Sequence, residues 1–326
     1  MLTFEQMLKR VGTGRISVLL GNGFSRAWRN KQFQYETLFH AAKFNGRECA
    51  IRRVFKVLKT QDFEKVTNRL RASGDILRLY TDDKGLVVQL KRDAQLIKHG
   101  LLKAIAHTHP RRPNEVAEKE YRHARAFLAR FTCIYTVNYD LLMYWARNQD
   151  ELPPGDWKTD DGFREDRLWV GAGKGQEVFF LHGALHLYET RDGVKKHFFS
   201  DTGQPIIYTV KENLRQNIFP LFVSEPTSEA KLSRINQNPY LSYCLRQLAK
   251  ESGCIFIFGH GFKKVDRHIF SAIDDSGIDR VFVAVFGDPY NKKNRRIRAN
   301  ATAYLKSKVR RVCFVDAETV PIWRDV

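Results

Sequence analysis

Cysteine is scarce in this chain of 326 residues: five are scattered at Cys49, Cys133, Cys244, Cys254 and Cys313. None forms a C-x-x-C pair, so zinc ribbons and thioredoxin-like redox motifs are not supported. Cys133, Cys254 and Cys313 lie in apolar strand-like runs and read as reduced core thiols. Long apolar runs are also missing; none approaches the ~20 residues needed to cross a bilayer. The opening MLTFEQMLKR lacks a basic start, an apolar stretch and a small-residue cleavage site, so a cytoplasmic protein without a membrane partner is expected. Acidic residues are outnumbered, 36 against 55 Lys and Arg, which gives a net charge of +19.

That excess is uneven. Residues 1–130 hold 27 Lys/Arg against 12 Asp/Glu, a net of +15, whereas residues 131–326 hold 28 against 24, a net of +4. Such a field attracts nucleic acid, an acidic partner or a phosphorylated small molecule, and a plain solvated helical surface explains it about equally well. No zinc finger or aromatic RNA-binding signature accompanies it. A hydrophobic content of 43% excludes a disordered chain.

Four short motifs each follow an apolar, strand-like run. They are GNGFS after Ile16–Leu20, VNYD after Phe131–Thr136, LHG after Val178–Phe180 and GHGF after Cys254–Phe258. Ligands of open parallel sheets bind beyond the carboxyl ends of strands, so four such ends predict one site assembled from distant segments. Between Arg26 and Arg130 the pattern turns helical: Ile51, Val54, Phe55, Leu58, Phe63, Val66 and Leu70 follow three-and-four spacing. Leu90, Ile97, Leu101 and Ile105 repeat it, and Tyr121–Leu128 reads as another helix.

Strands and helices then alternate. A helix is expected over Asp140–Arg147, a long irregular loop over Glu151–Gln176 and a strand over Glu177–Leu181. Arg191-Asp192-Gly193 marks a hairpin between His186–Glu189 and Val194–Phe199. Helical spacing over Thr227–Glu251 precedes strands Cys254–Phe258, Val281–Phe286 and Arg311–Val315, separated by helices Val265–Ile273 and Lys292–Lys306. The fold class is therefore α/β, doubly wound and Rossmann-like, with a mostly parallel sheet. Residues 1–29 and 131–326 form the expected nucleotide-binding core, with 30–130 as a helical insertion.

The motifs suggest roles. Gly21, Asn22, Gly23 and Ser25 fit a tight turn whose backbone N–H groups face a phosphate. GNGFSR matches neither the Walker pattern nor G-x-G-x-x-G, and a plain strand–turn–helix connection accounts for it as well. Asn138 can bridge a ribose hydroxyl and a water, while Asp140 fits either a binding role or a helix cap. His182, at a strand end beside a glycine, is placed as a general base, although a packed, satisfied histidine is the plainer reading. His186 is a weaker candidate; a metal site with His182 needs a helix that the local pattern does not offer. Gly259, His260 and Gly261 resemble a second phosphate-facing turn, with Asp266 as a cap for the next helix. Gly287-Asp288-Pro289 is a candidate border for an adenosine.

Taken in order, GNGFS, TVNYD, LHG and GHGF-x-x-x-D resemble the sirtuin-like superfamily, in particular bacterial sirtuin-like domains that consume NAD in phage defence. The resemblance covers roughly residues 15–25 and 131–315. It implies that Gly21, Gly23 and Ser25 cradle the NAD pyrophosphate and that Asn138 contacts the nicotinamide ribose. It further implies that Asp140 recognises the carboxamide, that His182 is catalytic, and that Gly259, His260 and Gly261 border the ADP portion. Protein-deacylating sirtuins carry a four-cysteine zinc ribbon and a longer first turn with an Asp-Phe-Arg extension, and this chain has neither. The expected activity is therefore hydrolysis of the nicotinamide–ribose bond of NAD or a related nucleotide as substrate, with no metal. A non-catalytic NAD or ADP-ribose sensor is the alternative, as is a nucleic-acid-binding protein acting through the basic helices. A nucleic-acid or protein activator on those helices and a homo-oligomer are the expected partners beyond the nucleotide.

Overall fold

The computed structural model describes residues 1–171, 175–198, 204–306 and 311–325. Every residue of Ile16–Leu20 (β1) is buried, the signature of a strand covered on both faces. It pairs in parallel with Ile134–Thr136 (β2) on one side and Ser252–Phe258 (β6) on the other. Val178–Phe180 (β3) extends the sheet beyond β2, and Gly277–Val285 (β7) and Arg311–Asp316 (β8) extend it beyond β6. The resulting six-stranded sheet is parallel throughout, in the order β3-β2-β1-β6-β7-β8. Direction reverses between β1 and β6, so the doubly wound α/β architecture has its topological switch point there.

Register decides where the motifs fall. Leu20 is level with Thr136 and Phe258, and Thr136 is level with Phe180. Gly21, Val137, Leu181 and Gly259 therefore leave the sheet at one rim. The four motifs share an edge although the first and last stand more than 200 residues apart in sequence.

The described residues between β1 and β2 contain helices and no strand: Gly23–Trp28 (α2), Tyr35–Ala41 (α3), Glu48–Val57 (α4), Phe63–Tyr80 (α5), Lys84–Thr108 (α6) and Glu118–Leu128 (α7). The apolar pattern runs unbroken from Ile51 to Leu70, yet the chain stops α4 and restarts α5. Lys59 sits at φ +46° and Asp62 caps α5 by accepting from the backbone N–H groups of Glu64 and Lys65. Beyond β2 comes Leu142–Arg147 (α8), starting two residues later than expected; Leu141 stands at its N-cap, and Asp140, one residue earlier, accepts from Leu142 N–H instead of filling the cap position.

The hairpin forms as expected, with Leu187–Thr190 (β4) antiparallel to Gly193–Lys196 (β5); Phe199 lies outside the described residues. The helix expected over Thr227–Glu251 is two helices, Ser228–Asn236 (α10) and Pro239–Ala249 (α11). Asn238 accepts from the Leu241 N–H and Pro239 opens the second helix, which makes a stop and restart rather than a continuation. Two helices have no counterpart in the sequence reading: Phe4–Val11 (α1) and Ile206–Arg215 (α9). The last turns of the α/β half are Arg267–Asp275 (α12) and Lys292–Tyr304 (α13). Among the described residues no helix is long and apolar enough to cross a membrane.

Candidate functional site

A cavity of about 720 Å³ opens at the rim where β1, β2, β3, β6 and β7 end. Asn22, Gly23, Asn138, Asp140, His182, Gly259, His260 and Gly261 all line it, so the motifs converge. Gly21 and Ser25 do not line it; both are buried behind it.

The two glycine turns hold each other. Gly21 N–H donates to Phe258 O at 2.9 Å and Gly23 N–H donates to Gly259 O at 2.9 Å. A methyl at Gly21 would lie 2.7 Å from Gly259 O, and one at Gly23 would collide with Gly259 Cα. Gly259 has φ +71°, which also favours glycine. The phosphate-facing role expected of the Gly21 and Gly23 amides is thus corrected: the Phe258 and Gly259 carbonyls, at the end of β6 and just beyond it, occupy both. Close approach of two backbones, not of backbone to ligand, demands these glycines.

Asn138 reaches behind the first turn. Its Nδ2 donates to Gly21 O at 3.0 Å and lies 3.3 Å from Ser25 Oγ. A carbonyl can only accept, so the amide orientation is fixed and Oδ1 is the face left for the cavity. The Ser25 hydroxyl donates to Asp140 Oδ2 at 2.5 Å, and the other carboxylate oxygen accepts from Leu142 N–H at 3.0 Å. Asp140 therefore lines the cavity with both carboxylate oxygens held by the protein. Burial raises its pKa, opposed by the hydrogen bonds from Ser25 and Leu142.

His182 is buried, and its Nε2 lies 3.0 Å from Nε2 of His268 on α12. Burial, then the Lys231 charge and His268, push the His182 pKa well below 6.5. His268 is pushed down to about 4, chiefly by burial. Both rings are neutral at physiological pH. His186 is no part of this group. Its ring centroid lies 4.3 Å from that of Tyr144 and 4.9 Å from that of Phe180, inside the core. Residues 182–186 form turns rather than a helix. No group of three metal-ligating side chains occurs among the described residues.

His260 accepts from Phe262 N–H on Nδ1 at 3.0 Å, so its proton belongs on Nε2, 3.4 Å from Asp266 Oδ2. Asp266 was expected to cap α12 through its side chain, and it makes no such bond. Its carboxylate turns instead to Lys231 on α10, at 2.8 Å. The same Lys231 Nζ lies 2.7 Å from Glu64 Oε1 on α5, with its side chain only 2% exposed. Burial alone would lower the Lys231 pKa, but Glu64 and Asp266 outweigh it and hold the ammonium charged. Asp266 is held well below the usual carboxylate range, because Lys231 and His260 outweigh its burial.

Glu64 brings the helices between β1 and β2 into the cavity wall, with Tyr35, Leu38 and Leu101. Lys263 beside the second glycine turn pairs with Asp62 at 2.5 Å, and Lys98 on α6 pairs with Glu225 at 2.6 Å. These ion pairs fasten the helices over the rim. No motif marks Lys231, Glu64, His268 or Ser228. Each looks like an ordinary helix residue until the fold brings them together. Asp288, offered as an adenosine border, accepts from Tyr290 N–H within its own turn; the neighbouring Phe286 and Lys293 line the cavity instead.

Buried neutral histidines make stability depend on pH. His109 and His268 have folded pKa values of about 4, and His182 and His186 lie well below 6.5. The unfolded chain takes up these protons at about 6.5, so stability is present above that pH and is lost as pH falls toward 4. Each such histidine contributes a slope of about 1.4 kcal/mol per pH unit. The raised pKa values of Asp140, Glu64 and Glu251 oppose the trend without cancelling four histidines. The urea midpoint is expected to fall clearly between pH 7 and pH 5; a midpoint that stays flat would contradict the neutral, buried rings.

Sheet order, shared rim and cavity define a doubly wound α/β protein with a large crevice at its switch point. The chain belongs to the family described as a domain of unknown function (DUF4917), whose model matches residues 18–323. That span runs from within β1 almost to the end of the chain. No curated protein matches it.

Proposed function

We propose that this protein is an NAD⁺ glycohydrolase that cleaves the nicotinamide–ribose bond to give nicotinamide and ADP-ribose. The observation that carries the reading is the meeting of Asn138 and His182, from the ends of neighbouring strands, in the crevice that also holds Gly259–Gly261. A volume of about 720 Å³ suits a dinucleotide-sized ligand. Nicotinamide bears a positive charge in NAD⁺ and is already a good leaving group, so the enzyme's task is to stabilise an oxocarbenium-like ribose and deliver water. Asp140 is the cavity carboxylate without a cation against it, since Glu64 and Asp266 share Lys231; it favours the developing positive charge. Asn138 Oδ1 accepts from the attacking water or a ribose hydroxyl, and His182 hydrogen-bonds the same group and orients it.

The family resemblance adds the wider role: a cytoplasmic defence effector, held inactive until a nucleic acid or protein engages the basic helices. Reversing the charge of several exposed arginines on α4 and α5 is expected to change activation in cells while leaving NAD⁺ affinity intact. Unchanged behaviour would reduce the surplus charge to a solubility feature.

A binding-only protein is the second reading, favoured by the use of Gly21, Ser25 and the Asn138 amide as mutual scaffold. Incubation with NAD⁺ separates the two: a glycohydrolase releases nicotinamide, whereas a sensor binds ADP-ribose and leaves NAD⁺ whole.

A further inference from the structure

We infer that Ser228 and His268 are positioning residues that fix the proton of His182 on Nδ1, so that His182 meets the cavity ligand as a hydrogen-bond donor. One buried hydrogen-bonded chain places each proton in turn. Ser228 Oγ accepts from the backbone N–H of His268 at 2.8 Å. Its other partner is Nδ1 of the same histidine, at 3.1 Å. The hydroxyl proton needs an acceptor, an amide N–H offers none, and among the described residues Nδ1 is the acceptor that Ser228 Oγ bonds, so the proton goes to Nδ1. His268 then carries its own proton on Nε2, aimed at His182 Nε2 across 3.0 Å. Two lone pairs cannot face each other at that distance, so His182 Nε2 accepts. A neutral His182 keeps its remaining proton on Nδ1. That nitrogen bonds to no protein atom among the described residues, and it is not one of the sealed buried atoms without a partner. The ring lines the cavity, so Nδ1–H is what a ligand meets.

The consequence is a matched pair. Asn138 offers an acceptor, because Gly21 O holds its amide nitrogen. His182 offers a donor. A hydroxyl both gives and takes one hydrogen bond, so one that reaches both groups satisfies them together. The ligand class is therefore a polyol, such as the ribose of a nucleotide, or the water that attacks it. This deepens the glycohydrolase reading and rests on it for the identity of the sugar. It also revises the role of His182: for Nδ1 to act as a base the chain must reverse, and reversal leaves the Ser228 proton without an acceptor.

The test reads the tautomer and not turnover. The full chain is labelled with ¹⁵N-histidine, and long-range ¹⁵N–¹H correlations are recorded at pH 7.5, with the His182 signals assigned by their loss in His182→Gln. The expected result is a protonated Nδ1 on His182, favoured roughly fivefold or more, the ratio one net hydrogen bond supports. His268→Gln retains an N–H near the former Nε2 and keeps this tautomer, whereas His268→Leu shifts His182 toward Nε2–H. A wild-type His182 protonated on Nε2 would overturn the inference, as would a His268→Leu protein that folds and keeps Nδ1–H. If NAD⁺ proves not to be the substrate, the tautomer result still stands or falls by itself.

Discussion

His182→Ala and Asn138→Ala are each expected to lower the proposed nicotinamide release from NAD⁺ by at least about 10²-fold, the usual scale for losing a positioned proton-handling or orienting group. The sites make this loss specific. His182 meets the cavity with one nitrogen and His268 with the other, so truncation removes a ligand contact and a buried hydrogen bond together. Asn138→Ala removes the Oδ1 acceptor and also frees Gly21 O and Ser25 Oγ. Asn138→Asp separates these effects. It keeps an acceptor toward the cavity but sets a carboxylate oxygen against the Gly21 carbonyl, so it is expected to cost stability as well as rate. Steady-state rates on folded protein, checked by circular dichroism and using a preparation in which the wild type is active, decide the matter. Full nicotinamide release by well-folded His182→Ala would remove His182 from the mechanism.

Lys231→Met is expected to cost about 3–5 kcal/mol of stability, the scale for removing one partner from a buried ion pair. The methionine fills much of the lysine's volume, so the loss is electrostatic. Glu64 and Asp266 would be left facing the same buried space without the ammonium that now lies 2.7 and 2.8 Å away. Glu64, whose pKa burial already raises, takes up a proton first. Adding Glu64→Gln to Lys231→Met should therefore recover part of the loss, a non-additivity that a double-mutant cycle measures. A single-variant loss below about 1 kcal/mol would mean that water reaches the trio and screens it.

The sheet was legible because β1, β2 and β3 are buried at every position and the inner ends of β6 and β7 are too. Ile16–Leu20 and Cys254–Phe258 read as short apolar runs closed by glycine, and the strand-ending motifs follow from the same pattern. The pairing of β1 with β6 was not legible in itself; only their common motif position hinted that both reach one rim. The glycines were readable as necessary but not for the right reason. A sequence shows that Gly23 and Gly259 lack side chains, not that their backbones touch. Helix ends were misjudged where local caps interrupt a continuous apolar stripe, at Lys59 and at Asn238-Pro239. The buried trio of Glu64, Lys231 and Asp266 was invisible, since a charged residue on a helix reads as solvated until its partners arrive from elements far away in sequence. The same holds for Ser228 and His268, whose importance lies wholly in what they face.

Chromatographic detection of nicotinamide and ADP-ribose after incubating the full-length protein with NAD⁺ tests the central claim most directly. The account predicts equimolar nicotinamide and ADP-ribose, in amounts exceeding the protein and abolished by His182→Ala. NAD⁺ that stays intact with the protein, both alone and in lysate from cells where the protein is toxic or activated, would contradict it.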